Sequence, residues 1–272
     1  DIIDSAHTRH GVPTIQVAMA QSATERNLDA NEKAHLGQSY AILVGDLLFG
    51  IAQKVLLLGT GLSADTSIAV DQKRIASLFS QMAEGVIVGQ MIDVELSTQD
   101  RPPLESIELK NQMKTAHYTF VYPFKIGAAL SGTSHPEYSN NLPEDYLNVF
   151  EDTYYSHDSL FESIGTDLGV AYQIYDDIAD LVSDVRSFQH NNLTHYVFSE
   201  GSPYSNLKHA QLLELEDDMI LNHFKDAGAI DHCLSICEQK MRNAKDQIDQ
   251  SSVGIRLKKI LLKLINDIRP KP

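Results

Sequence analysis

Basic residues are scarce: 22 Lys and Arg stand against 37 Asp and Glu, a formal net charge of −15 over 272 residues. A surface that negative repels nucleic acid and anionic membranes, which excludes both as partners of the chain as a whole. An anionic substrate would need a local device, such as a metal ion or a few placed Arg and Lys. Cysteine is nearly absent. Cys233 and Cys237 lie one helical turn apart and are too few for a disulfide framework. They read as small buried side chains in a reducing compartment, which makes a cytoplasmic location the expectation. The NLT at Asn192 to Thr194 fits a glycosylation acceptor, but no other feature points to secretion. No stretch reads as a signal peptide, and no apolar run is expected to reach the length of a membrane span, so no integral membrane segment is expected. Segments alternating with period 2 are missing too, which leaves no strands from which to build a sheet.

What the chain has in quantity is helical periodicity. SYAILVGDLLFGIAQKVLLLG, QKRIASLFSQMAEGVIVGQMIDVEL, the stretch from Glu144 to Val182 and VGIRLKKILLKLINDIR all carry apolar residues at three- and four-residue steps. Breakers such as GTGLSAD, TQDRPP and SEGSPYSN separate them. GTGLSA has neither the preceding strand nor the spacing of a dinucleotide-binding loop. No internal repeat and no composition shift marks a boundary. The expected fold is all-α, a single domain over residues 1–272 with several long helices buried on more than one side.

One stretch breaks the rule that buried helices are apolar. LGVAYQIYDDIADLVSD, residues 168–184, places Gln173, Asp176, Asp177, Asp180 and Asp184 at helical steps on one face. Leu168, Tyr172, Tyr175, Ala179 and Val182 are expected on the adjacent apolar face. Neighbouring like charges destabilise a helix by a few tenths of a kcal/mol, about 0.2–0.5 per pair. A cation facing them would reverse that cost. Oxygen ligands with no His or Cys nearby suit Mg²⁺, whose shell is completed by water and phosphate oxygens. A second acidic pair, Asp1 and Asp4, opens the chain at i and i+3 on what reads as a helix. Arg9 follows, and Gly11 and Pro13 end the element. His7 and His10 read as exposed residues near that end.

These motifs resemble the trans-prenyltransferases, the polyprenyl diphosphate synthases. YQIYDDIADLVSD looks like the family's second aspartate-rich motif, with its preceding Gln. DIIDSAHTRHGVPT looks like the first, without its leading Asp. Between them GQSYAILVGDLLFGIAQKVL resembles the Gly-Asp helix, GQMIDVEL the Gly-Gln-x-x-Asp segment, and MKTAHYTFVYPFKIGAALSG the Lys-Thr helix.

The resemblance implies the class I isoprenoid synthase fold, a helical bundle around a central hydrophobic cavity. It implies Mg²⁺-dependent condensation of isopentenyl diphosphate with an allylic diphosphate to a longer all-trans prenyl diphosphate of short to medium length. It also implies a homodimer and three Mg²⁺ per loaded site. In its terms Asp1, Asp4, Asp176, Asp177 and Asp180 hold metal, directly or through water. Arg9, His10, Gln90, Asp93 and Lys114 bind or orient the diphosphates. Lys114, Thr115 and Gln173 act at the developing cation. Lys110, one turn before Lys114, reads as a surface residue, and Tyr118 and Phe120 as core packing.

The chain departs from the family in four places. The leading Asp of the first motif is missing, as are the upstream helices with their isopentenyl-diphosphate lysine and arginine, so the domain reads as one without its N-terminal helices. His10 stands where the family has a second Arg. The lysine-rich loop after the second motif is not recognisable in SDVRSFQHNNLTHYVFSEG, which keeps an Asp184-x-Arg186 and Thr194. An omitted loop near residues 183–192 would explain that last departure. Two alternatives use the same fold: a non-catalytic regulatory subunit of a heteromeric synthase, and a class I terpene synthase, against which the Lys-Thr helix argues. A di-iron bundle is excluded because it needs Glu-x-x-His pairs, and none lies near the acidic motifs.

Overall fold

The computed structural model describes residues 2, 6–23, 27–61, 72–130 and 144–268. The chain divides into two compact units, Asp1–Asp65 and Thr66–Pro272.

In the first unit β1 (Thr8–Arg9) pairs antiparallel with β2 (Val12–Pro13), Arg9 opposite Val12. The turn between them holds His10 at φ 52° and Gly11 at φ 77°, the pair of left-handed residues that a two-residue hairpin needs. A helical element reaching Gly11 was the expectation; two successive left-handed residues cannot continue a right-handed helix. Thr14 then donates its hydroxyl to the Ala6 carbonyl at 2.8 Å and leads into α1 (Ile15–Ser22). The 32-residue α2 (Ala30–Gly61) starts with a reciprocal cap. The Glu32 N–H donates to Asp29 Oδ1 at 2.9 Å and the Asp29 N–H to Glu32 Oε2 at 2.8 Å.

Every regular element among the described residues of the second unit is a helix. Its elements are α3 (Gln72–Leu96), α4 (Leu104–Asn111), a π-helical segment (Gln112–Val121) and α5 (Tyr122–Leu130). The long α6 (Glu144–Ala179), α7 (Leu181–Arg186), α8 (Asn192–Phe198) and α9 (His209–Leu212) follow. The unit ends with α10 (Asp217–Asp226), α11 (Ala229–Gln250) and α12 (Ile255–Ile268). Its core is the seam between α6 and α11. Ile164, Leu168, Ala171 and Ile174 from α6 meet Cys233, Cys237, Met241, Ala244 and Ile248 from α11, all sealed from water. Each large side chain buried there contributes roughly 1.5–3 kcal/mol. Both cysteines are free thiols inside this seam, as expected, and burial pushes each up to about 12. Asn192 and Thr194 are buried as well, which removes the NLT as a glycosylation site.

The apolar face of α6 lies one residue round from the expected one. Ala171 and Ile174 are buried, while Tyr172 and Ala179 are exposed. Both stripes fit helical spacing from Leu168; packing against α11 selects between them. Phe120 is core, but Tyr118 is exposed.

Two helices, Ala30–Gly59 and Gln72–Leu96, are long and apolar enough to cross a membrane by length and composition. The expectation that no segment reaches that length therefore fails. Isolated charges such as Asp46 and Lys54 interrupt the run without lowering its mean hydropathy enough. A core helix of a globular protein passes the same test.

The π segment is held between α3 and α6, and glycines make the approach possible. A Cβ on Gly89 would lie 2.6 Å from the Lys114 nitrogen, and one on Gly169 would overlap the Ala116 backbone. Gly169→Ala is expected to destabilise the unit by about 1–3 kcal/mol. Gly85→Ala, with open space around it, should be neutral or stabilising by up to about 1 kcal/mol. Thermal melts of the two variants check this, and equal melting temperatures would overturn it.

Candidate active site

The site in the second unit is built from α3, α4, the π segment, α6 and the turn after α7. Asp93 is nine-tenths buried near the end of α3 and receives two ammonium groups. Lys114 Nζ lies 2.5 Å from Oδ2 and Lys110 Nζ 3.2 Å from Oδ1. The Gln90 amide donates to Oδ2 at 3.4 Å. Burial alone would raise Asp93, but the two lysine charges and their hydrogen bonds outweigh it and hold the carboxyl below its ordinary value. Lys110 is thus not the surface residue expected: it is only 5% exposed, and its ammonium also donates to the His190 carbonyl at 2.7 Å.

Beside this cluster runs a relay. The Thr115 hydroxyl donates to Gln173 Oε1 at 2.5 Å, and Gln173 Nε2 donates to Asp177 Oδ1 at 2.6 Å. The relay brings Thr115 and Gln173 together across 58 residues of sequence. It also fixes the amide orientation, since oxygen must face the hydroxyl proton and nitrogen the carboxylate.

The aspartates do not share one face of one helix. α6 ends at Ala179, and Asp180 stands at the junction with α7 at φ −98°, ψ 14°. Asp176 and Asp180 are exposed, Asp177 is buried and Asp184 half-buried. Burial raises Asp177 to about 6, offset in part by Lys110 and the Gln173 hydrogen bond. Burial and the Asp177 charge raise Asp184 to about 7, although Asn191 Nδ2 donates to its Oδ2 at 2.9 Å. Asp176 is raised by desolvation and by Asp180. Asp177 Oδ2 is buried and has no hydrogen-bond partner among the described residues.

Where the sequence suggested an omitted loop near residues 183–192, α7 runs to Arg186 and residues 187–191 form a short turn into α8. The Gln189 N–H donates to the Asp184 carbonyl at 2.9 Å, and Asn191 and Thr194 cap α8 reciprocally. Asn111 Nδ2 donates to Asn192 Oδ1 at 2.9 Å. His190 Nε2–H donates to the Gln99 carbonyl at 2.8 Å and His209 Nε2–H to the Val185 carbonyl at 2.9 Å. Burial lowers both rings, His190 to about 4. Arg186 faces elsewhere, donating to the Leu213 and Leu215 carbonyls and to Asp217.

Asp1 and Asp4 lie outside the described residues. Arg9 and His10 belong to the first unit, both exposed on the hairpin. Among the described residues no three His, Cys, Asp or Glu side chains converge closely enough to enclose a metal unaided. The donor set still fits a hard cation in part. It is all oxygen, one buried carboxylate oxygen is unpartnered, and Mg²⁺ normally takes most of its shell from water and phosphate. Sequence reasoning missed Lys110, Asn111 and Asn191. The available signal was Asp93: a buried carboxylate has two oxygens and needs more than one cation or donor.

A group whose folded pKa is raised stabilises the fold increasingly as pH falls through that value. Asp184, at about 7, should therefore add stability to the metal-free protein as pH falls from 8 to 6.5. Asp177 adds the same sign lower down, near 6. The lowered rings of His190, His209, His117 and His157 act oppositely, starting about one pH unit above the ordinary histidine pKa of about 6.5, so the Asp184 contribution is read as a difference between two proteins. Melting temperatures in EDTA for wild type and Asp184→Asn check this: the value for wild type minus that for the variant should increase from pH 8 to pH 6.5, and a constant difference would overturn it.

The sequence model of the polyprenyl synthetase family matches residues 1–194. The geranylfarnesyl diphosphate synthase of Natronomonas pharaonis is 23% identical over 261 residues, 92% of this chain and 63% of the relative. The farnesyl diphosphate synthase of Buchnera aphidicola is 27% identical over 154 residues, 56% of this chain and 45% of the relative. The matched part thus spans roughly half the length of such relatives. Among solved structures, a geranylgeranyl pyrophosphate synthase from Corynebacterium glutamicum, complexed with isoprenyl diphosphate and magnesium, superposes with a TM-score of 0.76. It is 22% identical, and the match covers 98% of this chain and 73% of that one. The geranylgeranyl pyrophosphate synthetase of Pyrococcus horikoshii gives 0.71 at 20% identity, over 98% and 73%. These likenesses establish the all-α isoprenoid synthase fold, and with the match over residues 1–194 the chain belongs to the polyprenyl synthetase family.

Proposed function

We propose that the protein is a Mg²⁺-dependent prenyltransferase that condenses isopentenyl diphosphate with an allylic diphosphate, giving a longer all-trans prenyl diphosphate of short to medium length. The observation that carries this is the Lys110–Asp93–Lys114 cluster set beside the Thr115–Gln173–Asp177 relay and the exposed Asp176 and Asp180. The family match runs across the boundary between the two units, which supports a single domain over residues 1–272.

Asp176, Asp177 and Asp180 would hold the metal, with Asp1 and Asp4. When bound, three Mg²⁺ would neutralise charge on the departing diphosphate. The chain's own part is separate. Lys114, the more exposed of the two lysines, would bind diphosphate oxygens with Arg9 and His10. Asp93 and Gln90 would keep Lys114 directed. The Thr115 hydroxyl and the Gln173 carbonyl would present fixed dipoles to the allylic carbon as its C–O bond breaks. The exposed apolar residues Ile87, Val88, Met91 and Val94 on α3 support a homodimer. The free buried thiols support a cytoplasmic location.

The test is turnover of the full chain with isopentenyl diphosphate and allylic diphosphates from C5 to C15, with and without Mg²⁺, products being read by mass spectrometry. Elongation that requires Mg²⁺ is expected, and Asp176→Asn should lower kcat by about 100-fold or more. A folded protein giving no product from any primer would overturn the proposal and leave the regulatory-subunit reading.

A further inference from the structure

Lys110 sits on α4, one turn before the π segment, where its ammonium is cut off from water. A buried lysine is strongly destabilising unless its protons are taken up. Here they go to Asp93 Oδ1 and to the His190 carbonyl. The next residue, Asn111, holds Asn192. Between them they fasten the turn at 190–192, and Asn191 in that turn donates to Asp184 and caps α8.

The charge count matters as much as the anchoring. Asp93 is one carboxylate shared by two ammonium groups. With Lys110 in place the cluster keeps a net positive charge, and its outward member is Lys114, whose side chain is 30% exposed. Without Lys110, Lys114 and Asp93 form a neutral pair, and an incoming anion must compete with the carboxylate for the same protons. The turn that replaces the family's loop contributes no lysine of its own, since residues 187–194 read SFQHNNLT.

We propose that Lys110 is a positioning residue for anion binding. By occupying one oxygen of Asp93 and the His190 carbonyl, it leaves the charge of Lys114 available to a diphosphate and holds the 190–192 turn against Asp184. This rests on reading the site as a diphosphate site. Lys110 touches no substrate; it acts through Asp93 and the turn.

The probe is inorganic pyrophosphate with Mg²⁺, titrated calorimetrically into the full chain, alongside KM and kcat for the allylic diphosphate. Lys110→Met should raise the pyrophosphate Kd and the allylic KM by about tenfold or more, the loss expected for a charged hydrogen bond, while kcat changes by less than about threefold. In an Asp93→Asn background, where Lys114 is no longer held by a full charge, adding Lys110→Met should change Kd by less than about threefold. If Lys110→Met does not fold, Lys110→Gln keeps a donor for the His190 carbonyl, removes the charge and should show the same rise in Kd. Wild type binding pyrophosphate with the Lys110 variants unchanged, or with equal effects in both backgrounds, would overturn the inference and leave the proposed function standing. Wild type failing to bind would overturn both.

Discussion

The approach of the π segment to α3 and α6 is the constraint on which the site depends. Gly89 and Gly169 remove the Cβ atoms that would hold the backbones apart. Only at that separation can Lys114 reach Asp93 on one side while Thr115 reaches Gln173 on the other. Consecutive residues of one segment thereby serve two different helices. A π-helical stretch has more residues per turn than an α-helix and often marks a functional position for that reason. Here it turns the lysine and the threonine to opposite neighbours.

Electrostatics follow from that geometry. The molecule is strongly acidic, yet the interior of the site is arranged around two buried or half-buried lysines and one carboxylate they share. That local excess of positive charge stands against the raised carboxyls of Asp176, Asp177 and Asp184. The carboxylates are thus uncomfortable as they stand, and a divalent cation would relieve them. The metal-free protein meets part of the same need with Gln173 and Asn191, which donate to Asp177 and Asp184.

Much of this was legible in the sequence. The helical periodicity predicted an all-α chain, and the order of the motifs predicted the family. The motif residues Gln90, Asp93, Lys114, Thr115, Gln173 and Asp177 do come together. Other features were not legible, each for a physical reason. Lys110 has the same local pattern whether it faces water or a carboxylate on α3. The Asn192–Thr194 triplet has the same composition whether it lies on a surface loop or at a buried helix cap. The break at Asp180 has no Gly or Pro to announce it. The apolar stripe of α6 was ambiguous by one residue, because two series of three- and four-residue steps diverge from Leu168 and only the facing helix distinguishes them.

By itself the sequence determined the class of the fold and the kinds of side chain available for chemistry, because periodicity and residue type are local properties. Tertiary structure alone decided which of those side chains share a carboxylate, which aspartates are buried and which lysine is left facing outward. Those outcomes depend on distances between helices, and the distances are set by where two glycines let one backbone lie against another.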